Sequence, residues 1–371
     1  MKITAVRAHP LSIPLAPMTP HSPWLEGMPK QVLVEVTTDE GLTGWGECFA
    51  YGAPLAVASV VHEVLAPLVT GENPTEIERL VEKMEKAMLL YGRRGIAVHA
   101  MSGVEIALWD IAGKARRAPV YDLLGGLYTP RVRAYASLLR YTTPAAVVAS
   151  CRHFAAAGFG ALKLHQIDVE SVRVAREAVG PNVHLMLDVN CPWSPQEAIR
   201  MGRAFEPYNL AWFEEPVWPP EDYRGLAEVS AALETPVAGG ENEGLAQGFA
   251  DIVAQRAVDI LQPSMTKVGG LLHSKKICTL AAAANLQVVP HSFYFGPGLA
   301  ATLHLIASTP GLAYLEYPTG DLQAPILTEP IRARDGFVAV PTGPGLGVTV
   351  NEEVLKRFPY GSEGKRLFIL T

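Results

Sequence analysis

Residues Val183–Pro216 read VHLMLDVNCPWSPQEAIRMGRAFEPYNLAWFEEP. An apolar run over Val183–Val189 ends in Asp188. An amphipathic stretch over Ser194–Phe205 carries its apolar residues at helical spacing. A second apolar run, Ala211–Phe213, ends in Glu214. Strand, helix, strand at this length is a βαβ unit, and βαβ units build parallel sheets.

The same unit recurs on both sides. Strand-like runs are Val132–Ala136, Ala161–Leu164, Thr235–Ala238, Ile260–Gln262, Val288–His291 and Ala313–Leu315. Helical patterns fit between runs at Val169–Val179, Tyr223–Ala232, Ala246–Gln255, Gly270–Ala284 and Gly298–Ser308. Polar residues close the runs at Lys163, Asp188, Glu214, Glu241, Ser264, His291 and Glu316, about 25 residues apart, which is a repeat signal. A (β/α) barrel of seven or eight units brings such positions together at the carboxyl ends of its strands, where barrel enzymes do their chemistry. A doubly wound sheet would scatter them.

The first third reads differently. Ile3–Leu15, Gln31–Thr38 and Leu42–Glu47 are strand-like, with a hairpin turn at Asp39-Glu40-Gly41. Helical patterns follow at Pro54–Leu68, at Glu76–Leu90 after an Asn73-Pro74-Thr75 start signal, and at a buried Gly95–Ala115. The expected organisation is an α+β capping domain over 1–127, a barrel over 128–324, and a tail over 325–371 that returns to the first domain.

Of the 371 residues, 49% are hydrophobic and 18% charged, the profile of a globular chain with a large core. The net charge of −6 comes with no basic stripe, which argues against nucleic acid as a partner. The longest apolar run, near Leu280–Val289, is too short to span a bilayer, so no membrane partner is expected. Four scattered cysteines without a C-x-x-C pair, and an N-terminus lacking an apolar signal core, suggest a reducing, cytoplasmic setting.

Three carboxylates carry the chemistry. Asp188, Glu214 and Glu241 end three consecutive strands. Any one of them alone could cap a helix or pair with a surface lysine. Three aimed at one place repel each other unless a cation sits between them. Carboxylate oxygens suit a hard divalent ion such as Mg2+. Lys163 and His165 share one face of the second strand, since alternate residues point the same way. Lys163 in a cationic, partly desolvated site would have a lowered pKa and act as a base. His165 would add positive charge and bind a substrate carboxylate. His291, ending the seventh strand, could serve the other side of the substrate. Glu316, if buried and protonated, could donate a hydrogen bond to an enolate oxygen; the alternative is a buried Glu paired with a Lys. Together these parts describe removal of the proton next to a carboxylate, with the anion that forms stabilised by metal and cationic neighbours.

The residues resemble the mandelate racemase/muconate lactonizing enzyme family of the enolase superfamily. The resemblance rests on Gly44-Trp45-Gly46-Glu47, on Gly103–Lys114, on Leu123-Leu124-Gly125-Gly126, and on the barrel motifs Asp188-Val189-Asn190, Glu214-Glu215-Pro216, Gly240-Glu241-Asn242 and Lys267-Val268-Gly269-Gly270, followed by Gly343-Pro344-Gly345-Leu346-Gly347. A Lys or His base working with magnesium is the general pattern of such sites. The resemblance implies Mg2+ at Asp188, Glu214 and Glu241, a cap whose loops bring His21, Trp24 and Tyr51 over the barrel mouth, Asn190 and Lys267 near the substrate, and a homo-oligomer of two to eight subunits.

Two departures stand out. Many members have Lys-x-Lys on the second strand, where this chain has Lys163-Leu164-His165. Many pair the seventh-strand His with a sixth-strand Asp, or carry a Lys there; this chain has Ser264. A serine cannot raise the His291 pKa as a carboxylate would. The expected reaction is therefore dehydration of a hydroxylated, sugar-derived acid to a 2-keto acid, with Lys163 as base and His291 assisting the departing hydroxyl. Racemisation or epimerisation, and lactone cycloisomerisation, are the alternatives on the same parts. A non-catalytic binding protein is a more remote one. No Gly-x-Ser-x-Gly elbow supports a hydrolase.

Overall fold

The structure is a computed structural model that describes residues 1–18, 20, 22 and 30–361. Strands β1 (Ile3–Ser12), β2 (Lys30–Thr38) and β3 (Thr43–Phe49) form an antiparallel sheet in that order. The β2–β3 hairpin turns at the expected place, with Gly41 at φ 79° and Thr38 N donating to Leu42 O. The long apolar helix is Ile96–Arg116, packed across the sheet. Its length and composition would allow a membrane span, but 83% of that apolar window is buried inside the protein, so it is a core helix. Gly46 lets it come close: a Cβ there would lie 1.8 Å from Gly103 O. This explains the spacing of Gly44-Trp45-Gly46. One start signal was misplaced. Asn73 accepts from Thr75 N and Oγ1 in a turn of its own, and the helix begins later, at Ile77–Ala87.

Eight parallel strands follow: β4 (Arg131–Ser137), β5 (Ala161–Leu164), β6 (His184–Asp188), β7 (Leu210–Glu214), β8 (Val237–Gly239), β9 (Ile260–Leu261), β10 (Gln287–Val288) and β11 (Leu315–Pro318). Each pairs with the next from β4 to β10, and β11 pairs with β4 on its other side. Between the last two strands, Ser292 N donates to Glu316 Oε2 (2.9 Å) and Ser292 Oγ to Glu316 O (2.7 Å). Helices join the strands. Val169–Val179 and Tyr223–Ala232 span the expected residues, and Pro195–Phe205 starts from a Ser194–Glu197 capping box. A helix at Pro144–Ala156, capped by Thr143 and opened by Pro144, was not among the expected elements.

One buried cluster holds a residue from each of β4 to β9 and the residues next to β10 and β11: Tyr135, Ala161, Met186, Trp212, Ala238, Ile260, Val289 and Tyr314. Alternation along a strand puts the residue two positions on at the same inner wall. That next layer is Ser137, Lys163, Asp188, Glu214, Gly240, Gln262, His291 and Glu316. Glu241 and Ser264 of the expected ring lie one and two residues beyond it.

The tail divides. A hairpin of β12 (Ala333–Arg334) and β13 (Phe337–Ala339) pairs antiparallel with the start of β4. Leu322, Ile326, Leu327, Val350 and Val354 pack with Leu11, Ile13, Leu33 and Trp45 of the first sheet.

Buried acids join the first sheet and long helix to the barrel. Glu47 on β3 accepts from Gly298 N (2.9 Å) at the start of helix Pro297–Ala307. Glu105 accepts from Leu271 N (2.8 Å) and Leu272 N (2.7 Å) at the start of Gly270–Ala283. Asp110 accepts from Trp45 N and Leu346 N. A carboxylate at a helix N-terminus satisfies donors that the helix itself leaves open.

Candidate active site

Asp188, Glu214 and Glu241 are all buried, and each offers an oxygen within 4.8 Å of the other two. The loops behind them are held tightly. Asn190, Cys191 and Glu215 have φ of 55°, 56° and 47°, a conformation that side chains adopt at a cost and that clusters at functional sites. Cys191 N donates to Glu215 O, so the β6–β7 pairing continues past both carboxylates. Glu215 is itself buried. Asn242 Nδ2 donates to its two oxygens (2.9 and 3.1 Å), and burial together with Glu241 and Asp188 raises its pKa well above the ordinary carboxylate value.

Two lysines neutralise part of this charge. Lys163 Nζ lies 2.7 Å from Glu214 Oε1, 3.0 Å from Glu316 Oε1 and 3.2 Å from Asp188 Oδ2. Lys267 Nζ lies 2.6 Å from Glu241 Oε1. With Glu215 neutral, in keeping with its raised pKa, the carboxylates of Asp188, Glu214, Glu241 and Glu316 face two ammonium groups, which leaves two negative charges and fits a dication. Glu214 reports the same shortfall. Burial, and repulsion from Asp188, Glu316 and Glu241, push its pKa up to about 8 despite Lys163. Without a cation there, a proton takes its place. Gln262, wholly buried in the same layer, has no hydrogen-bond partner for either end of its amide among the described residues.

The surroundings of Lys163 overturn one expectation. Its site is anionic. Burial favours the neutral amine, but Glu214, Glu316 and Asp188 outweigh it and hold the pKa well above the usual lysine value. Lys163 is a cation locked under the carboxylates. Of the two readings of Glu316, the Lys163 contact favours the carboxylate paired with a lysine over the protonated donor. Burial would raise its pKa, but Lys163, His291, Ser137 Oγ (2.7 Å) and Ser292 N hold it at about 2, so it is a carboxylate.

A cavity of about 240 Å³ opens above the carboxylates. Among the described residues its wall includes His165, His291, Asn190, Lys267 and Tyr51, but not Lys163. His165 Nε2 lies 3.2 Å from Asp188 Oδ2, and its Nδ1 is hydrogen-bonded to Leu138 O. His291 Nε2 lies 3.4 Å from Glu241 Oε2. The two imidazoles therefore flank the carboxylate cluster from different sides. Burial lowers the His291 pKa against the raising effect of Glu241 and Glu316. Tyr51 OH donates to Phe293 O (2.7 Å). His21 and Trp24 lie outside the described residues.

Several contributors were missed. Phe49 of β3 lies beneath the Lys267 ammonium. Arg140 donates through Nε to His165 O (2.7 Å) and through Nη2 to Asn190 Oδ1 (3.4 Å), bracing the loops after β5 and β6. Tyr294 OH touches both Ser264 and His291. Asn242 and Glu215 adjoin the ligand candidates in the motifs already quoted and could have been found there. Phe49 and Arg140 carry no local signal, because their roles depend on distant segments.

Comparison with known proteins agrees with the fold. Residues 12–125 match the mandelate racemase / muconate lactonizing enzyme N-terminal domain, and residues 146–354 match the enolase C-terminal domain-like family. The chain is 35% identical to D-galactarolactone cycloisomerase of Agrobacterium fabrum, over 96% of this chain and 99% of that protein. It is 35% identical to arabinonate dehydratase of Saccharolobus solfataricus, over 88% and 90%. The crystal structure of 3,6-anhydro-D-galactonate cycloisomerase from Zobellia galactanivorans superposes with a TM-score of 0.88 at 31% identity, covering 97% of this chain and 99% of that one. This chain is an enzyme and belongs to the mandelate racemase/muconate lactonizing enzyme family of the enolase superfamily.

Proposed function

We propose that this enzyme dehydrates a sugar-derived hydroxy acid to a 2-keto acid, with a magnesium ion held by Asp188, Glu214 and Glu241. The observation that carries the reading is the buried, charge-deficient carboxylate cluster with one imidazole on each flank of the cavity. Magnesium there would supply a Lewis acid that acidifies the carbon next to the substrate carboxylate and offsets the charge that builds up.

The protein residues do the rest. His165 takes the α-proton through Nε2; it replaces Lys163, which is enclosed by carboxylates. Lys163 and Lys267 keep the acidic cluster in place. His291 hydrogen-bonds the β-hydroxyl oxygen as the carbon–oxygen bond breaks. The C–H electron pair becomes the C=C bond as the C–O bond breaks, and the departing hydroxide takes a proton from water in the cavity. His165 returns its added proton to that water, so the protein ends unchanged. The enol then tautomerises to the 2-keto acid. Asn190, Tyr51, His21 and Trp24 are proposed to contact the substrate. The four cysteines are free thiols, in keeping with a cytoplasmic setting.

Cycloisomerisation is the second reading, favoured by relatives of that activity that match nearly end to end. A panel of acid sugars and sugar lactones incubated with Mg2+ separates the two. Semicarbazide-reactive 2-keto acid supports dehydration, and a redox-neutral isomer without it supports cycloisomerisation. No turnover and no α-deuterium exchange with any acid on the panel would overturn both.

A further inference from the structure

Backbone pairing between β4 and β5 ends where Leu138 N donates to Lys163 O (2.9 Å). Beyond it, side chains continue the ladder. His165 Nδ1 is hydrogen-bonded to Leu138 O, Arg140 Nε donates to His165 O (2.7 Å), and Gln166 Nε2 donates to Tyr141 O (3.1 Å). Of the two struts Arg140 and Gln166, Arg140 also reaches the loop after β6. Its Nη2 lies 3.4 Å from Val189 O and 3.4 Å from Asn190 Oδ1. A guanidinium is a rigid plane with five donors, so one side chain can hold two loops at a fixed separation; the compact ammonium of a lysine cannot. The Arg140 backbone is held in turn, since its carbonyl accepts from Ser22 Oγ.

The same contact decides which way the Asn190 amide faces. Arginine only donates, so the end of the amide beside it is the oxygen. The Asn190 backbone is fixed as well: its N donates to Asp188 Oδ1 (3.0 Å), and the residue sits at φ 55°. Asn190 borders the cavity, and its Nδ2 has no hydrogen-bond partner among the described residues. The end left over for the cavity is therefore a donor.

We propose that Arg140 is a positioning residue that sets the spacing between the loops after β5 and β6 and turns the Asn190 amide so that its N–H group, not its oxygen, serves the cavity. Arg140 does not itself border that cavity among the described residues, so it acts through the two loops. The consequence for turnover rests on the proposed function, in which His165 takes the proton and Asn190 contacts the substrate. Arg140 then keeps that base and that donor at one separation, and the substrate group facing Asn190 has to be an oxygen that can accept.

The loop spacing is readable without turnover, by amide hydrogen exchange followed with mass spectrometry on the full chain. Arg140→Lys keeps the cation and removes the fork. Exchange is expected to rise over both 163–168 and 189–193, and to stay at the wild-type rate over 211–217. Should Arg140→Lys fail to fold, Arg140→Gln, which can reach one loop at most, is read in the same way. Gln166→Met cuts the other strut between the β4 and β5 loops and is expected to leave 189–193 as in wild type. The proposal is overturned by unchanged exchange in the Arg140 variant, by a rise in one loop only, by a rise that spreads to 211–217, or by an equal rise over 189–193 in Gln166→Met. In an active enzyme, Arg140→Lys is expected to lower kcat/KM by about 10- to 100-fold, the scale of a small misplacement of reacting groups. The same substitution made in Asn190→Ala is expected to cost about threefold less or better, because part of its effect runs through that amide. Strictly additive losses overturn the amide assignment. If the exchange pattern comes out as expected and no acid is turned over, the proposed reaction fails and the positioning role stands.

Discussion

The Lys267 ammonium lies 4.2 Å from the centre of the Phe49 ring, so a residue of the first sheet steadies a cation that pairs with a candidate metal ligand of the barrel. Phe49 N also donates to Thr266 O, which fixes the ring over the lysine. A cation over an aromatic face contributes about 0.5–1 kcal/mol when exposed and more when desolvated. Phe49→Leu should keep the fold and lower kcat/KM by about 3- to 10-fold. Calorimetric titration with Mg2+ should show a parallel loss of affinity. Unchanged metal affinity would mean that the ring acts on the substrate alone.

Metal removal should change how stability depends on pH. Glu214 has a folded pKa of about 8, above the ordinary carboxylate value of 4.5, so the folded protein holds its proton more tightly than the unfolded chain. The associated stability is complete below about pH 4.5 and is lost as pH rises towards 8. Chelator-treated protein should therefore unfold more easily at pH 8 than at about pH 5. Saturating Mg2+ should remove most of that loss by replacing the proton. Glu214→Gln should flatten the metal-free slope and abolish both the stabilisation by Mg2+ and turnover. A slope identical in wild type and variant would assign the dependence to other buried acids.

The sequence was most legible where one residue recurred with one period. The beat through Lys163, Asp188, Glu214, His291 and Glu316 matches the inner layer of the barrel, because each strand ends at the same height. It slipped at Glu241 and Ser264, whose places in that layer belong to Gly240 and Gln262. A glycine offers no polar signal, and a buried glutamine resembles any other. The lowered pKa expected of Lys163 failed for a different reason, which also left the two readings of Glu316 undecided. A pKa depends on every charge around the group, and the Lys163–Glu316 pair joins the second and eighth strands, a contact that no local pattern encodes.

Glu105 should prove to be a structural acid. It accepts two backbone N–H groups at the start of helix Gly270–Ala283 and the Trp109 indole N–H (2.7 Å), and its own side chain is buried. Glu105→Ala would leave these donors unpaired, at about 1–3 kcal/mol each in the worst case and about 3–5 kcal/mol in total after relaxation. Glu105→Gln keeps one accepting oxygen and should lose only about 1–2 kcal/mol. Its carboxyl is pushed up to about 7, chiefly by burial, so the Gln variant should also lose less stability than wild type between about pH 4.5 and 7. Urea unfolding at two pH values measures both effects. Equal stability of the Ala variant and wild type would show that the helix start is satisfied in another way.

Lys163 and His165 can be told apart as base by pairing a kinetic measurement with a binding one. His165 borders the cavity and is placed to take a proton, whereas Lys163 is enclosed by three carboxylates. His165→Asn should reduce α-deuterium exchange by about 10²- to 10⁴-fold, the usual contribution of a general base. It should leave Mg2+ affinity within about twofold, since the imidazole is neutral when it serves as base. Lys163→Met should also stop turnover, by another route. Removing the cation leaves Asp188, Glu214 and Glu316 without their shared partner, so the metal-free variant should be markedly less stable and should bind Mg2+ more tightly than wild type. Exchange that survives in His165→Asn, together with unaltered metal affinity in Lys163→Met, would return the proton-transfer role to the lysine.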